Sequence, residues 1–133
     1  MARDLDETVR ERLAAPTYWH LATINKDGAP QSSPVWLDLR DDHIIVNTAT
    51  RHLKYANMRR DPNVALSNMA TDNPFDHVQI RGRVVDVIEG EQAESDIDAM
   101  ARKYTGNDYL FREPDEKRAT FVIEPTFVRH FVP

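Results

Sequence analysis

Short apolar runs broken by turn signals recur along most of this chain, and no other pattern in it narrows the possible folds so far. YWHLATIN (18–25) is followed by KDGAP with its Asp27-Gly28 pair, then QSSPVWLDL (31–39), the turn RDDH, and IIVNT (44–48). Runs of this length between short polar loops predict a three-strand antiparallel meander. Pro34 removes a ladder donor, which places part of the second strand at an edge or bulge. VALSNM (64–69), DHVQIRGRVVDVIEG (76–90), ATFVIE and FVRHF add strands, with TDNPF (71–75) as a loop and Gly82 as a bend or bulge.

Three segments have helical spacing instead. Leu5, Val9 and Leu13 recur every four residues until Pro16, which predicts a short amphipathic lid. RHLKYANMRR (51–60) ends at Asp61-Pro62, because the residue before proline avoids the helical region. EQAESDIDAMARKY (91–104) carries Ala93, Ile97, Met100 and Ala101 on one face. Six or seven strands with two or three helices predict a mainly β fold, an antiparallel barrel whose closure removes reactive sheet edges. A length of 133 residues suits a single domain, 1–133.

Composition removes several functions. With no cysteine, thiol nucleophiles, disulfides and thiolate metal sites are excluded. His20, His43, His52, His77 and His130 show no HxH or HExxH spacing, so no metal site is expected. Ser32 and Ser33 lack the G-x-S-x-G setting of a hydrolase nucleophile, and four glycines form no phosphate loop. No apolar run of about 18 residues predicts a membrane span, and the charged start MARDLDETVRERLAAP lacks a signal-peptide core, so a cytoplasmic location is expected. Twenty-two Asp plus Glu against 17 Lys plus Arg argue against a nucleic-acid surface. Glu89, Glu91, Glu94, Asp96 and Asp98 flank a helix start that favours negative charge and read as solvated. Tyr104 and Tyr109 have two readings, lining for a substrate pocket or cover for the barrel mouth, and the second is preferred.

Against that acidic background, TATRHLKYANMRRDPN (48–63) concentrates Arg51, His52, Lys54, Arg59 and Arg60. With Thr50 as cap, the free amides of the helix start and the neighbouring cations would converge on one point, as a phosphate site requires. Arg59 and Arg60 fall in the last turn, where cations offset the helix dipole and face water. Arg51 and Lys54 lie at the opposite end, where cations oppose the dipole, and an anionic partner would remove that conflict.

The order GAPQSSPVW, IIVNTATRHLKYANMRRDPNVAL, VQIRGRV, ARKYTG and a closing strand through IEP resembles the pyridoxamine 5'-phosphate oxidase-like flavin and deazaflavin proteins. Within these it is most similar to the B group of flavin/deazaflavin oxidoreductases, small enzymes that use coenzyme F420. The resemblance runs from about Leu13 to the C-terminus, and Lys54, Asn57, Arg59, Arg60, Asp61 and Pro62 in sequence form its most specific part. It implies a split β-barrel homodimer with two cofactor sites across the subunit interface. On that pattern the phosphate lies at Thr48, Thr50, Arg51, His52 and Lys54, and the tricyclic ring lies along Gln31, Ser33, Pro34, Val35 and Trp36. Phe75, His77 and Val78 would come from the partner subunit.

The activity so implied is hydride transfer from reduced F420 to a small unsaturated organic substrate, with His77 as one possible proton source. FMN is the alternative cofactor, in an enzyme of the pyridoxamine 5'-phosphate oxidase-like type. FMN ends at its phosphate, whereas F420 continues into an anionic tail, so the extra cations His52, Arg59 and Arg60 favour F420. From a different class, a non-catalytic barrel would hold a flavin or tetrapyrrole without turnover, or bind single-stranded nucleic acid as an OB barrel does.

Overall fold

A computed structural model describes residues 4–132. Helix α1 (Glu7–Ala14) leads into strands β1 (Trp19–Ile24), β2 (Pro30–Val35), β3 (Leu37–Arg40) and β4 (His43–Ala49). Helix α2 (Leu53–Arg60), strands β5 (Asn63–Ala70) and β6 (Asn73–Glu89), helix α3 (Glu91–Thr105) and strand β7 (Arg118–Phe131) complete the order. The strands form one seven-stranded antiparallel sheet in the order β2-β1-β5-β6-β7-β4-β3.

The expected split barrel is therefore the fold, but its connectivity corrects the three-strand meander. QSSPVWLDL is two strands parted at Trp36: β2 pairs with β1 at one edge of the sheet, and β3 pairs with β4 at the other. Only Trp36 separates them, and two residues along an extended chain span roughly 7 Å. The opposite edges of the sheet must meet at that corner, which forces the sheet to curl. Pro34 lies on edge strand β2, where its missing N–H disrupts no inner ladder.

At the other end of the chain the sequence pattern divides what the structure joins. ATFVIE and FVRHF belong to the single strand β7, paired along β6. Pro125 faces Gly82, and the register shifts there between Arg81 and Gly82. A Cβ on Gly82 would stand 2.5 Å from Ile123 Cγ2 and 3.2 Å from the Glu124 carbonyl oxygen. The expected bulge at Gly82 thus places a residue without a side chain where two strands approach closely.

The inward strand positions, among them Leu21, Leu37, Ile44, Val46, Leu66, Ile80, Phe121 and Ile123, form the core. Val9 and Leu13 of α1 are fully buried in it, as their spacing predicts, and Asp6 caps that helix by accepting from the Val9 amide at 2.9 Å. Helix α3 covers β4, β6 and β7 and buries Ala93, Ile97, Met100 and Ala101. Among the described residues no helix is long and apolar enough to cross a membrane.

Of the acidic residues around α3, Glu89 and Glu91 are exposed as the solvated reading expects, whereas Glu94, Asp96 and Asp98 depart from it. Asp96 is buried, accepting from Arg40 at 2.6 Å, Gln92 at 2.7 Å and the Thr120 hydroxyl at 2.8 Å. Glu94 accepts from Arg112 and from the Arg118 amide, and Asp98 accepts from the Tyr109 amide. The chain between α3 and β7 folds back over the helix, and Glu94 and Asp98 receive donors from its Arg112 and Tyr109.

Candidate functional site

A cleft of about 550 Å³ opens where β2, β4, α2, α3 and the segment before β7 converge. Pro34, Val35, Trp36, Tyr109 and Phe111 supply its apolar and aromatic lining. Thr48, His52 and Lys54 close one end together with Arg118. Six of the residues expected from sequence therefore line one space, although β2 and α2 are separate elements.

The aromatic wall is held in place by packing. Trp36 stacks on Tyr104 with ring centroids 5.3 Å apart and meets Tyr109 edge-on at 6.3 Å. The Tyr104 hydroxyl donates to the Thr17 carbonyl at 2.7 Å and accepts from the Leu37 amide at 3.3 Å. Burial raises its pKa to about 12, so it remains a neutral donor that pins the Trp36 corner. Tyr109 lines the cleft itself, which corrects its reading as cover for the barrel mouth.

The cationic end differs in detail from the expectation. Helix α2 begins at Leu53 with His52 at the cap position, and no side chain bonds to its first turn. Thr50 lies in the turn before the helix, and its amide donates to the Lys117 carbonyl, so it is not the cap. Thr48 Oγ1 lies 3.1 Å from His52 Nδ1 and fixes the ring. Burial, then Lys54, Arg51 and Arg118, lower the His52 pKa. Burial also lowers the Lys54 pKa, with Arg118 adding to the effect. Among the described residues Lys54 has no carboxylate partner.

The other expected residues lie elsewhere. Arg51 pairs with Glu116 at 2.8 Å and does not line the cleft. Arg59 approaches Glu89 at 4.0 Å, and Arg60 bonds the Ile24 carbonyl; neither lines the cleft. Gln31 accepts from Thr23 at 3.4 Å, and Ser33 is half-buried opposite Leu21 on β1, both outside the lining. Phe75 is 73% exposed, His77 stacks on Phe131 at 4.5 Å, and Val78 is fully buried in the core of its own chain. Within one chain these three do not reach the cleft.

Sequence reasoning missed Arg118, Asn47, Tyr18, Ile97 and Phe111. Arg118 stands at the head of a run that reads only as a strand, and its place beside Lys54 follows from the pairing of β7 with β4. Among the described residues, no group of three His, Cys, Asp or Glu is placed to hold a metal ion.

The sequence profile of the pyridoxamine 5'-phosphate oxidase family matches residues 5–131. The chain belongs to that family. Among solved structures, an F420 reductase is 28% identical with a TM-score of 0.81, covering 94% of this chain and 98% of that one. A conserved hypothetical protein from Mycobacterium tuberculosis is 22% identical with a TM-score of 0.75, over 98% and 86% of the two chains. A pyridoxamine 5'-phosphate oxidase-related, FMN-binding protein from Nostoc punctiforme is 17% identical with a TM-score of 0.63, over 91% and 77%. The last two show likeness of fold alone. None of the curated proteins matches the chain.

Membership of the pyridoxamine 5'-phosphate oxidase family, with the F420 reductase as a neighbour, places the protein among flavin- or deazaflavin-type oxidoreductases. The cleft fits such a cofactor on its own chemistry. Aromatic and apolar walls suit a flat ring, and an unpaired half-buried lysine beside two further basic side chains suits a phosphate.

Proposed function

We propose that this protein is a coenzyme F420-dependent reductase that delivers a hydride to a small unsaturated organic substrate. The observation that carries the reading is Lys54, a half-buried ammonium with no carboxylate partner among the described residues, next to Arg118 and His52 at the uncapped start of α2. Isolated cations are disfavoured away from water, and a ligand phosphate supplies the missing counter-charge.

When bound, a reduced deazaflavin supplies the hydride, so no side chain need act as a nucleophile. Lys54, His52 and the first amides of α2 grip the phosphate, and Thr48 orients His52. Pro34, Val35 and Trp36 support the ring, while Tyr109 and Phe111 exclude water from the cleft. Arg51 and Thr50 hold the turn that presents this set, through Glu116 and the Lys117 carbonyl. The cleft is open within one chain, and a second copy completing it with Phe75 and His77 forms part of the proposal, with His77 a candidate proton donor.

FMN is the second reading, favoured by the placement of Arg59 and Arg60 away from the cleft. That placement removes two of the cations expected to meet an anionic tail, and the remaining cations match a ligand that ends at its phosphate.

The test is fluorescence titration of the purified protein with F420 and, separately, with FMN, repeated with Lys54→Ala. Tighter F420 binding is expected, weakened by about 1–3 kcal/mol in the variant as a charge-assisted contact is lost. Tighter FMN binding would shift the assignment to the second reading. Indifference of the wild type to both ligands would reject a cofactor-dependent enzyme.

A further inference from the structure

Arg118 is 5% exposed, yet it lines the cleft. Its Nε donates to Asn47 Oδ1 at 2.9 Å and its Nη1 to Glu116 Oε2 at 2.9 Å. Its guanidinium carbon stands 5.0 Å from the centre of the Tyr109 ring, and its amide donates to Glu94. Nη2 has no hydrogen-bond partner among the described residues. Asn68 Oδ1 is the one fully buried side-chain polar atom among the described residues without a partner, so Nη2 retains exposed area, and Arg118 is among the residues that line the cleft.

Beneath this guanidinium lies Glu116, whose side chain is 1% exposed. One carboxylate oxygen accepts from Arg118 and the other from Arg51 at 2.8 Å. Asn47 is braced in turn, donating to the Ala93 carbonyl at 2.8 Å and to Thr120 Oγ1 at 3.0 Å. The fork is therefore fixed on two sides and stacked on a third, with one nitrogen left for a ligand. A donor held in this way loses little freedom when it binds.

We propose that Arg118 is a ligand-binding residue that grips an anionic oxygen from β7, beside Lys54, and that Glu116 is the positioning residue that aims it. This rests on the reading of the cleft as a cofactor site and adds to it a second arm of the phosphate grip. Lys54 approaches the anion from α2 as a mobile point charge, whereas Arg118 approaches from β7 as a rigid planar donor. Together they suit an oxyanion with several oxygens, such as a phosphate mono- or diester.

Affinities of the full chain for FMN and for F420 are measured in wild type, Glu116→Gln and Arg118→Lys, with urea unfolding of each. By Coulomb's law alone, removing a carboxylate beside an anion seat tightens anion binding. Positioning has the opposite sign: Glu116→Gln is expected to bind about tenfold more weakly, and Arg118→Lys, which keeps the charge without the planar fork, to lose a similar factor. The Arg118 Nε–H resonance is expected to shift on ligand addition in wild type and to shift less in Glu116→Gln.

Binding by Glu116→Gln at or above wild-type strength overturns the proposal, as does unchanged binding by folded Arg118→Lys. If the lysine variant unfolds, the near-isosteric Glu116→Gln decides alone. Wild type that binds neither ligand overturns the cofactor reading and this proposal with it. Wild-type binding with unaffected variants overturns this proposal and leaves the cofactor reading standing.

Discussion

Lys54 and His52 illustrate how the proposed ligand seat acts against the stability of the protein that holds it. Both have lowered pKa values, with burial the largest cause in each. For Lys54 the folded state disfavours the charged form, a cost present at every pH below its folded value. Lys54→Met is expected to raise the apoprotein's stability in urea by about 0.5–1 kcal/mol while cofactor affinity falls. For His52 the sign is similar. As pH falls below the ordinary histidine value of 6.5, the unfolded chain takes up a proton that the folded apoprotein refuses, so stability declines from 6.5 down to the lowered folded value. An anion in the cleft should raise the His52 pKa and flatten that slope, checked by NMR titration of its ring protons with and without ligand. The local sequence showed His52 and Lys54 as candidates because they lie together at a helix start. Arg118 was illegible there, since its neighbours in space come from β4, α2 and the segment before β7.

At the scale of elements, the helices and most strands were legible because their apolar spacing is local. Val9 and Leu13 face the core as predicted, and so do Ala93, Ile97, Met100 and Ala101 of α3. Strand boundaries were less legible where proline was involved. Pro34 sits within β2 and Pro125 within β7, while the real break falls at Trp36. Proline removes one donor, and an edge strand or a bulge needs no donor at that point, so both strands continue through it. The Gly82 bulge depends on the missing side chain: Gly82→Ala would press its methyl against Ile123 and the Glu124 carbonyl, and about 1–3 kcal/mol of stability should be lost in urea unfolding. The acidic start of α3 was misread because charge near a helix N-terminus explains itself locally, whereas Asp96, Glu94 and Asp98 also receive donors from Arg40, Arg118 and Tyr109.

At the scale of the whole molecule, one chain leaves Tyr18, Met69 and Phe75 exposed and the cleft open on one side. The proposed homodimer would cover such residues and close the site. Sedimentation should find a dimer, and Phe75→Glu should weaken both self-association and cofactor affinity; loss of neither would separate Phe75 from the interface. The order of apolar runs, turns and cations along the chain was enough to determine a mainly β barrel and to mark the start of α2 as a cationic end. Those signals are carried by neighbours within a few residues, where spacing and backbone preference act directly. Which strands meet was decided only by tertiary structure. The curl that brings β2 and β3 to one corner also sets Trp36 in the same cleft as Lys54 and Arg118, because closing a sheet is a condition on all its strands at once.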